Sequence, residues 1–275
     1  MKGRGADRDR IRVMYTGVRA APTGSPDDVR RSVRSELNIP EEIPVIVFAG
    51  RICEQKRPAL LADILGAARD QGMVFQALVI GEGELKTQLR DLLERRQLTD
   101  RVRLLDAVPH RRWLEILAAS DILLLPSRYE GISIALQESM AAGVVPVAAR
   151  VGGQDEIVAP DAGILLPQGN DELREYVEAL RRLTSDPAER RRMSKQCQAF
   201  AASRLSWEGM IGRFLALLDE AHELRVRNPR APIGLGLGRE LAALAVEYKR
   251  LGEAVDWLWN ARSPSDAAGA APVNG

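Results

Sequence analysis

The chain has 275 residues, 45% of them hydrophobic, which is enough for one good core and marginal for two. Its 39 basic residues nearly balance its 38 acidic ones, so no net field selects nucleic acid or an acidic membrane, and an anion site has to be local. Cys53 and Cys197 stand far apart without metal-ligand companions and suggest a reducing compartment.

Met1 to Arg12 is polar and basic with no apolar signal core, and no apolar run approaches the ~20 residues that span a bilayer. The expected setting is therefore the cytoplasm, at most peripheral at the inner membrane face. From Ile43 onward, short β-rich runs alternate with amphipathic ones, the pattern of βαβ units around a parallel sheet. Predicted strands are Ile43 to Ala49, Val74 to Ile80, Arg101 to Leu105, Ile122 to Leu125, Val144 to Ala148 and Gly163 to Leu166. Between them the three and four spacing of apolar residues predicts helices at Pro58 to Arg69, Leu85 to Arg96, Arg111 to Ala119 and Ile132 to Ala142. Gly143 closes the last of these.

A Rossmann-like, doubly wound α/β domain follows, capped by helices at Asp171 to Leu183, Pro187 to Ser203 and Trp207 to Leu224. Arg225 to Gly238 is rich in Pro, Gly and Arg and reads as a linker, so the expected division is 1–225 and 226–275. Within the second part, Leu241, Leu244, Tyr248, Leu251, Val255 and Leu258 form one helical seam, and Ser263 to Gly275 has the composition of a disordered tail.

In open parallel sheets ligands bind at the carboxyl ends of the strands, so the chemistry is sought in the loops that follow them. After the first strand, Gly50 to Lys56 brings the guanidinium of Arg51 and the ammonium of Lys56 to the sheet edge, a pairing that suits phosphate. Gly81 and Gly83 offer a tight turn after the second strand. The bend at Val108, Pro109 and His110 after the third could lie against a base. The fourth strand leads into Pro126 to Ser133, where Gly131 gives the backbone room and the helix start from Ile132 and Ser133 points free N–H groups at the crevice. Glu130 would repel an anion there unless it faced the hydroxyls of a sugar. Glu138, two helical turns on among Ile134, Leu136 and Met140, needs a partner, either a ribose diol or an arginine such as Arg51 or Arg150. Gly152 and Gly153 again permit close backbone approach after the fifth strand.

Glu130 and Glu138, separated by seven residues and opened by Glu-Gly-Ile-Ser, resemble the signature of the retaining GT-B glycosyltransferases, family 4 in particular. Gly50-Arg51 with Lys56, Gly81-Glu82-Gly83, Val108-Pro109, Pro126 to Gly131, Glu138 to Gly143, Pro146-Val147 and Gly152-Gly153 with Glu156 follow in family order. The resemblance covers about Ile11 to Leu224. It implies the C-terminal nucleotide-sugar-binding domain of a GT-B enzyme. Arg51 and Lys56 would hold the diphosphate, and Glu130 with the Gly131 to Ser133 backbone would hold donor sugar and phosphate. Glu138 would meet the ribose, and Val108 to His110 the base. The implied partner is a nucleoside diphosphate sugar, with no separate cofactor and no metal, since Asp7-Arg8-Asp9 has no preceding strand. The implied reaction transfers the sugar to an acceptor hydroxyl with retention. Arg57-Pro58 departs from the glycine common after the lysine in relatives, and no acceptor domain precedes Ile11, so an N-terminal GT-B domain or subunit is the expected second partner. The alternatives are a non-catalytic nucleotide-sugar-binding module or a GT-B-fold epimerase or phosphorylase. A glycoside hydrolase does not fit, because no second strand-end carboxylate complements Glu130.

Overall fold

The computed structural model describes residues 11–18 and 24–227. A six-stranded sheet, parallel throughout, runs in the order β3-β2-β1-β4-β5-β6. Its strands are β1 (Val45–Ala49), β2 (Gln76–Ile80), β3 (Val102–Leu105), β4 (Ile122–Leu125), β5 (Val145–Ala149) and β6 (Ile164–Leu166). The central β1 and β4 are built almost wholly from buried β-branched and leucine side chains, as strands covered on both faces must be. Pro146 has no N–H to give, and β6 pairs with β5 only from Val147 onward.

The helices are α1 (Pro26–Glu36), α2 (Pro58–Asp70), α3 (Lys86–Arg95), α4 (His110–Ala119), α5 (Ile134–Ala141), α6 (Glu172–Ser185), α7 (Pro187–Arg204) and α8 (Trp207–Arg227). The residues of Tyr15–Met210 form the compact unit that carries the sheet. Residues 11–14 and 211–227 group separately, and there Arg12 pairs with Glu220. Each predicted strand is present, shifted by at most two residues. Gly143 does end α5, with φ of 81° and a bond from the Val144 N–H back to the Ser139 carbonyl at 2.8 Å.

Three expectations need correction. The pattern reading assigned no element to Pro26–Glu36, yet a helix stands there, with Ser25 as N-cap, proline in its first turn and Asp27 and Asp28 against its N-terminal dipole. Only Val29, Val33 and Leu37 mark its inner face, too thin a stripe among arginines to register as a period. Helix α5 begins at Ile134 rather than Ile132, because Ser133 is its cap and accepts from the Leu136 N–H at 3.4 Å. Helix α8 runs through the first residues of the supposed linker to Arg227. The seam from Leu241 to Leu258 and the Asp7-Arg8-Asp9 triplet lie outside the described residues.

The buried end of α1 is also an electrostatic anchor. Arg34 is fully buried, and all its nitrogens are engaged by the carbonyls of Ala119, Pro40, Glu41 and Ile43 and by Asp121 at 2.7 Å. Asp121, just before β4, also accepts from the Val45 N–H at 2.8 Å and from Arg30 at 3.0 Å. One carboxylate therefore joins α1 to the starts of both central strands. Burial pulls the Arg34 pKa down from its ordinary value, and Asp121 opposes that shift.

Candidate functional site

The strand order reverses between β1 and β4, and their carboxyl ends flank the crevice where ligands bind in folds of this topology. The loops after these two strands carry Arg51, Lys56, Glu130 and Gly131. Hydrogen bonds lock them together: the Arg128 N–H donates to the Gln55 carbonyl at 2.7 Å, and the Gln55 amide donates to the Tyr129 carbonyl at 2.9 Å. From the other side, the Gln168 amide holds the Ser127 and Arg128 carbonyls at 3.1 and 2.8 Å.

Lys56 and Glu130 meet inside this frame. The ammonium lies 2.5 Å from the Glu130 carboxylate, with side chains only 13% and 9% exposed. The conflict raised by a carboxylate beside an anion site is thus answered within the protein, by Lys56 itself. Arg51 points elsewhere: its side chain is 75% exposed and its guanidinium stands 3.4 Å from Glu84. Arg57 adopts a left-handed backbone with φ of 53° and forks onto the buried Glu172 at 2.6 and 2.8 Å. The forked pair secures a strained position where glycine would cost less.

The glycines divide by what a side chain at each would meet. Gly131 faces open space, with nothing within 4 Å of an added Cβ, whereas a Cβ at Gly81 or Gly83 would strike the Gly50 or Ile52 carbonyl at 2.0 or 2.2 Å. The Gly81 to Gly83 turn therefore closes on the β1 loop, an internal packing role, while Gly131 borders the crevice. Gly152 has φ of 60°, and a Cβ there would lie 1.9 Å from the Glu130 carbonyl oxygen. The paired glycines hold the Glu130 loop, and the Gly153 N–H donates to the Gly131 carbonyl at 2.7 Å. Gly152→Ala should lower stability by about 1 kcal/mol or more through left-handed strain and backbone overlap. Thermal unfolding of the variant checks this, and an unchanged midpoint would mean that the Glu130 loop yields freely.

Glu138 is buried, but neither Arg51 nor Arg150 is its partner. Its carboxylate accepts from the Trp113 indole at 2.7 Å and lies 2.7 Å from His110 Nε2. Of its expected apolar neighbours, Leu136 and Met140 are buried and Ile134 is exposed. The Val108 to His110 bend leads into α4, with Pro109 at its N-cap, so His110 directs a ring nitrogen back to Glu138. Lys86 joins the Glu82 and Asp106 carboxylates and thereby ties the end of β3 to the Gly81 to Gly83 turn. Trp113, Arg57 and Gln168 were not singled out as site residues from sequence. For Arg57 there was a signal, a bulky residue where relatives have glycine.

A parallel α/β sheet whose order reverses between β1 and β4, with Lys56 and Glu130 paired in the loops after those strands, is a Rossmann-like domain of the GT-B type. The chain belongs to the Glycosyl transferases group 1 family, whose profile matches residues 29–200. It is 32% identical over 248 residues to D-inositol 3-phosphate glycosyltransferase of Nocardia farcinica, covering 86% of this chain and 52% of that one. The enzyme of the same name from Xylanimonas cellulosilytica is 30% identical, covering 80% and 54%. The chain thus spans about half the length of the curated relatives it matches. Among solved structures, Anabaena HepE in complex with UDP-glucose superposes with a TM-score of 0.67 at 23% identity, covering 78% of this chain and 59% of that one. Sucrose-phosphate synthase of Thermosynechococcus elongatus gives 0.63 at 24%, covering 76% and 53%. At these identities the structural likeness concerns the fold. Among the described residues, no helix is long and apolar enough to cross a membrane.

Proposed function

We propose that this chain forms the nucleotide-sugar-binding part of a retaining, family 4 type glycosyltransferase, working with an N-terminal GT-B domain or subunit that presents the acceptor hydroxyl. The observation that carries the reading is the Lys56 and Glu130 pair at the switch point, beside the open Gly131. A dianionic diphosphate entering there would draw the ammonium to itself and release the carboxylate toward the sugar hydroxyls. Arg51, exposed and only loosely paired, is free to swing onto the outer phosphate. The unpaired N–H groups in the first turn of α5 add positive potential at the same edge. Glu138 accepts from the ribose diol, and the Val108 to His110 bend borders the base. The bound UDP-glucose of the HepE structure supports a uridine nucleotide as the first ligand to try.

In the reaction the bond between the anomeric carbon and the diphosphate oxygen breaks as the acceptor oxygen bonds to the same face of that carbon. The acceptor proton leaves with the diphosphate. Lys56, Arg51 and the α5 start stabilise the developing charge in place of a metal or other cofactor, and one such preorganised donor is typically worth ~10²–10³ in rate. The proposed setting is the cytoplasm, at the inner membrane face where an acceptor is lipid-borne.

Calorimetry with UDP, GDP and UDP-glucose, with and without EDTA, tests this. Binding should survive EDTA. Glu138→Ala should weaken UDP by about tenfold, the scale of one charge-assisted hydrogen bond, while Glu130→Ala spares UDP and removes the contribution of the sugar. Binding abolished by EDTA, or equal losses of both ligands in both variants, would show the reading to be wrong.

A further inference from the structure

The carboxylate of Glu138 is nearly buried, and among the described residues no lysine or arginine holds it. Two aromatic rings do so instead, and they hold it unequally. The Trp113 indole donates to Oε2 through a buried bond of 2.7 Å, whereas His110 Nε2 reaches Oε1 from a side chain that is 47% exposed. Both rings come from the first turn of α4, three residues apart and so on one face of the helix. An indole N–H only donates, and its ring is fixed by packing, so it has one direction in which to act.

The two oxygens therefore differ in kind. Oε2 is held by a buried donor, and Oε1 meets a half-exposed imidazole and keeps a second lone pair for another donor. We propose that Trp113 is a positioning residue for nucleotide recognition: its indole N–H presets the Glu138 carboxylate so that Oε1 is aimed at the hydroxyls of the ligand's ribose. The inference rests on the reading above, in which Glu138 meets a ribose diol, and adds the residue that makes the contact selective. A carboxylate held in its binding rotamer before the ligand arrives loses no freedom on binding. Without the indole, Oε2 would lack its buried donor and the carboxylate would turn to seek another.

The test measures UDP and 2′,3′-dideoxy-UDP binding to the whole chain by calorimetry, for the wild type, Trp113→Phe, Glu138→Ala and the double variant. The wild type should prefer UDP by about tenfold, the scale of one charge-assisted hydrogen bond. Trp113→Phe should lose most of that preference, with dideoxy-UDP bound about as before. In the Glu138→Ala background the tryptophan change should have no further effect, because no side-chain acceptor is left for the indole to hold toward the ligand. If Trp113→Phe does not fold, benzothienylalanine at position 113, which keeps the indole shape with sulfur in place of the N–H, carries the same expectations. A wild type that binds both nucleotides alike would overturn the ribose reading and this inference together. A wild type that discriminates and a Trp113 variant that does so equally well would overturn the inference alone. So would equal losses of both ligands, or an undiminished effect in the Glu138→Ala background.

Discussion

Replacing Asp121 with alanine should cost about 3–5 kcal/mol of folding stability, the range for breaking a buried ion pair by removing one partner. Arg34 is fully buried and would keep its charge with only carbonyl oxygens to face it, while the Val45 N–H at the start of β1 would lose its acceptor. Arg30 would lose its closer carboxylate, keeping Glu41 at 3.5 Å. For a domain stable by about 5–15 kcal/mol, such a loss is a large fraction of the whole. Urea denaturation followed by circular dichroism checks it. Asp121→Asn, which keeps the shape and one acceptor oxygen, should fall between the wild type and alanine. An alanine variant within about 1 kcal/mol of the wild type would mean that the arginine finds water and the anchor is dispensable.

Lys56→Met should both destabilise the fold around Glu130 and weaken the proposed diphosphate binding. The methionine keeps most of the lysine stem but leaves Glu130, whose side chain is 9% exposed, without its cation at 2.5 Å. Because the crevice admits solvent on one side, the expected loss is about 3 kcal/mol, at the lower end for a broken buried pair. Diphosphate affinity should fall by about tenfold to a hundredfold, since a charge-assisted bond of ~1.5–3 kcal/mol is lost and an uncompensated carboxylate faces the ligand. Adding Glu130→Gln separates the two effects. The double variant should recover most of the stability, because no charge is left unpaired, and should still fail to bind UDP tightly. Thermal unfolding and calorimetry on both variants decide the matter, and full recovery of binding in the double variant would remove Lys56 from the phosphate site.

Much of the candidate site's placement at the sheet edge was legible because strand ends are legible. Continuous apolar runs such as Ile122–Leu125 mark strands buried on both faces, and in a parallel sheet the polar loop after each run falls on one side. Helix α1 escaped because its inner face is thin and its key buried residue is Arg34, which pattern reading places outside. The start of α5 shifted by two residues because the cap is decided by the geometry of Ser133, not by where apolar residues begin. The tight turn expected at Gly81 and Gly83 packs against the backbone of Gly50 and Ile52, and a glycine run by itself does not say which backbone it approaches.

The sequence by itself determined the sheet, its helical cover and the set of polar residues at its carboxyl edge, all of which depend on local periodicity and on which residues a buried strand can tolerate. Only the tertiary structure decided the pairings. Lys56 meets Glu130 across 74 residues, Trp113 meets Glu138 across 25, and Arg34 meets Asp121 across 87. Each pair joins loops or helices whose nearness comes from the strand order, where β1 lies beside β4, and that order is written in no single stretch of chain. A buried charge must find a counterpart, and the residue types announce the need. Which counterpart answers is a matter of distance in the folded molecule.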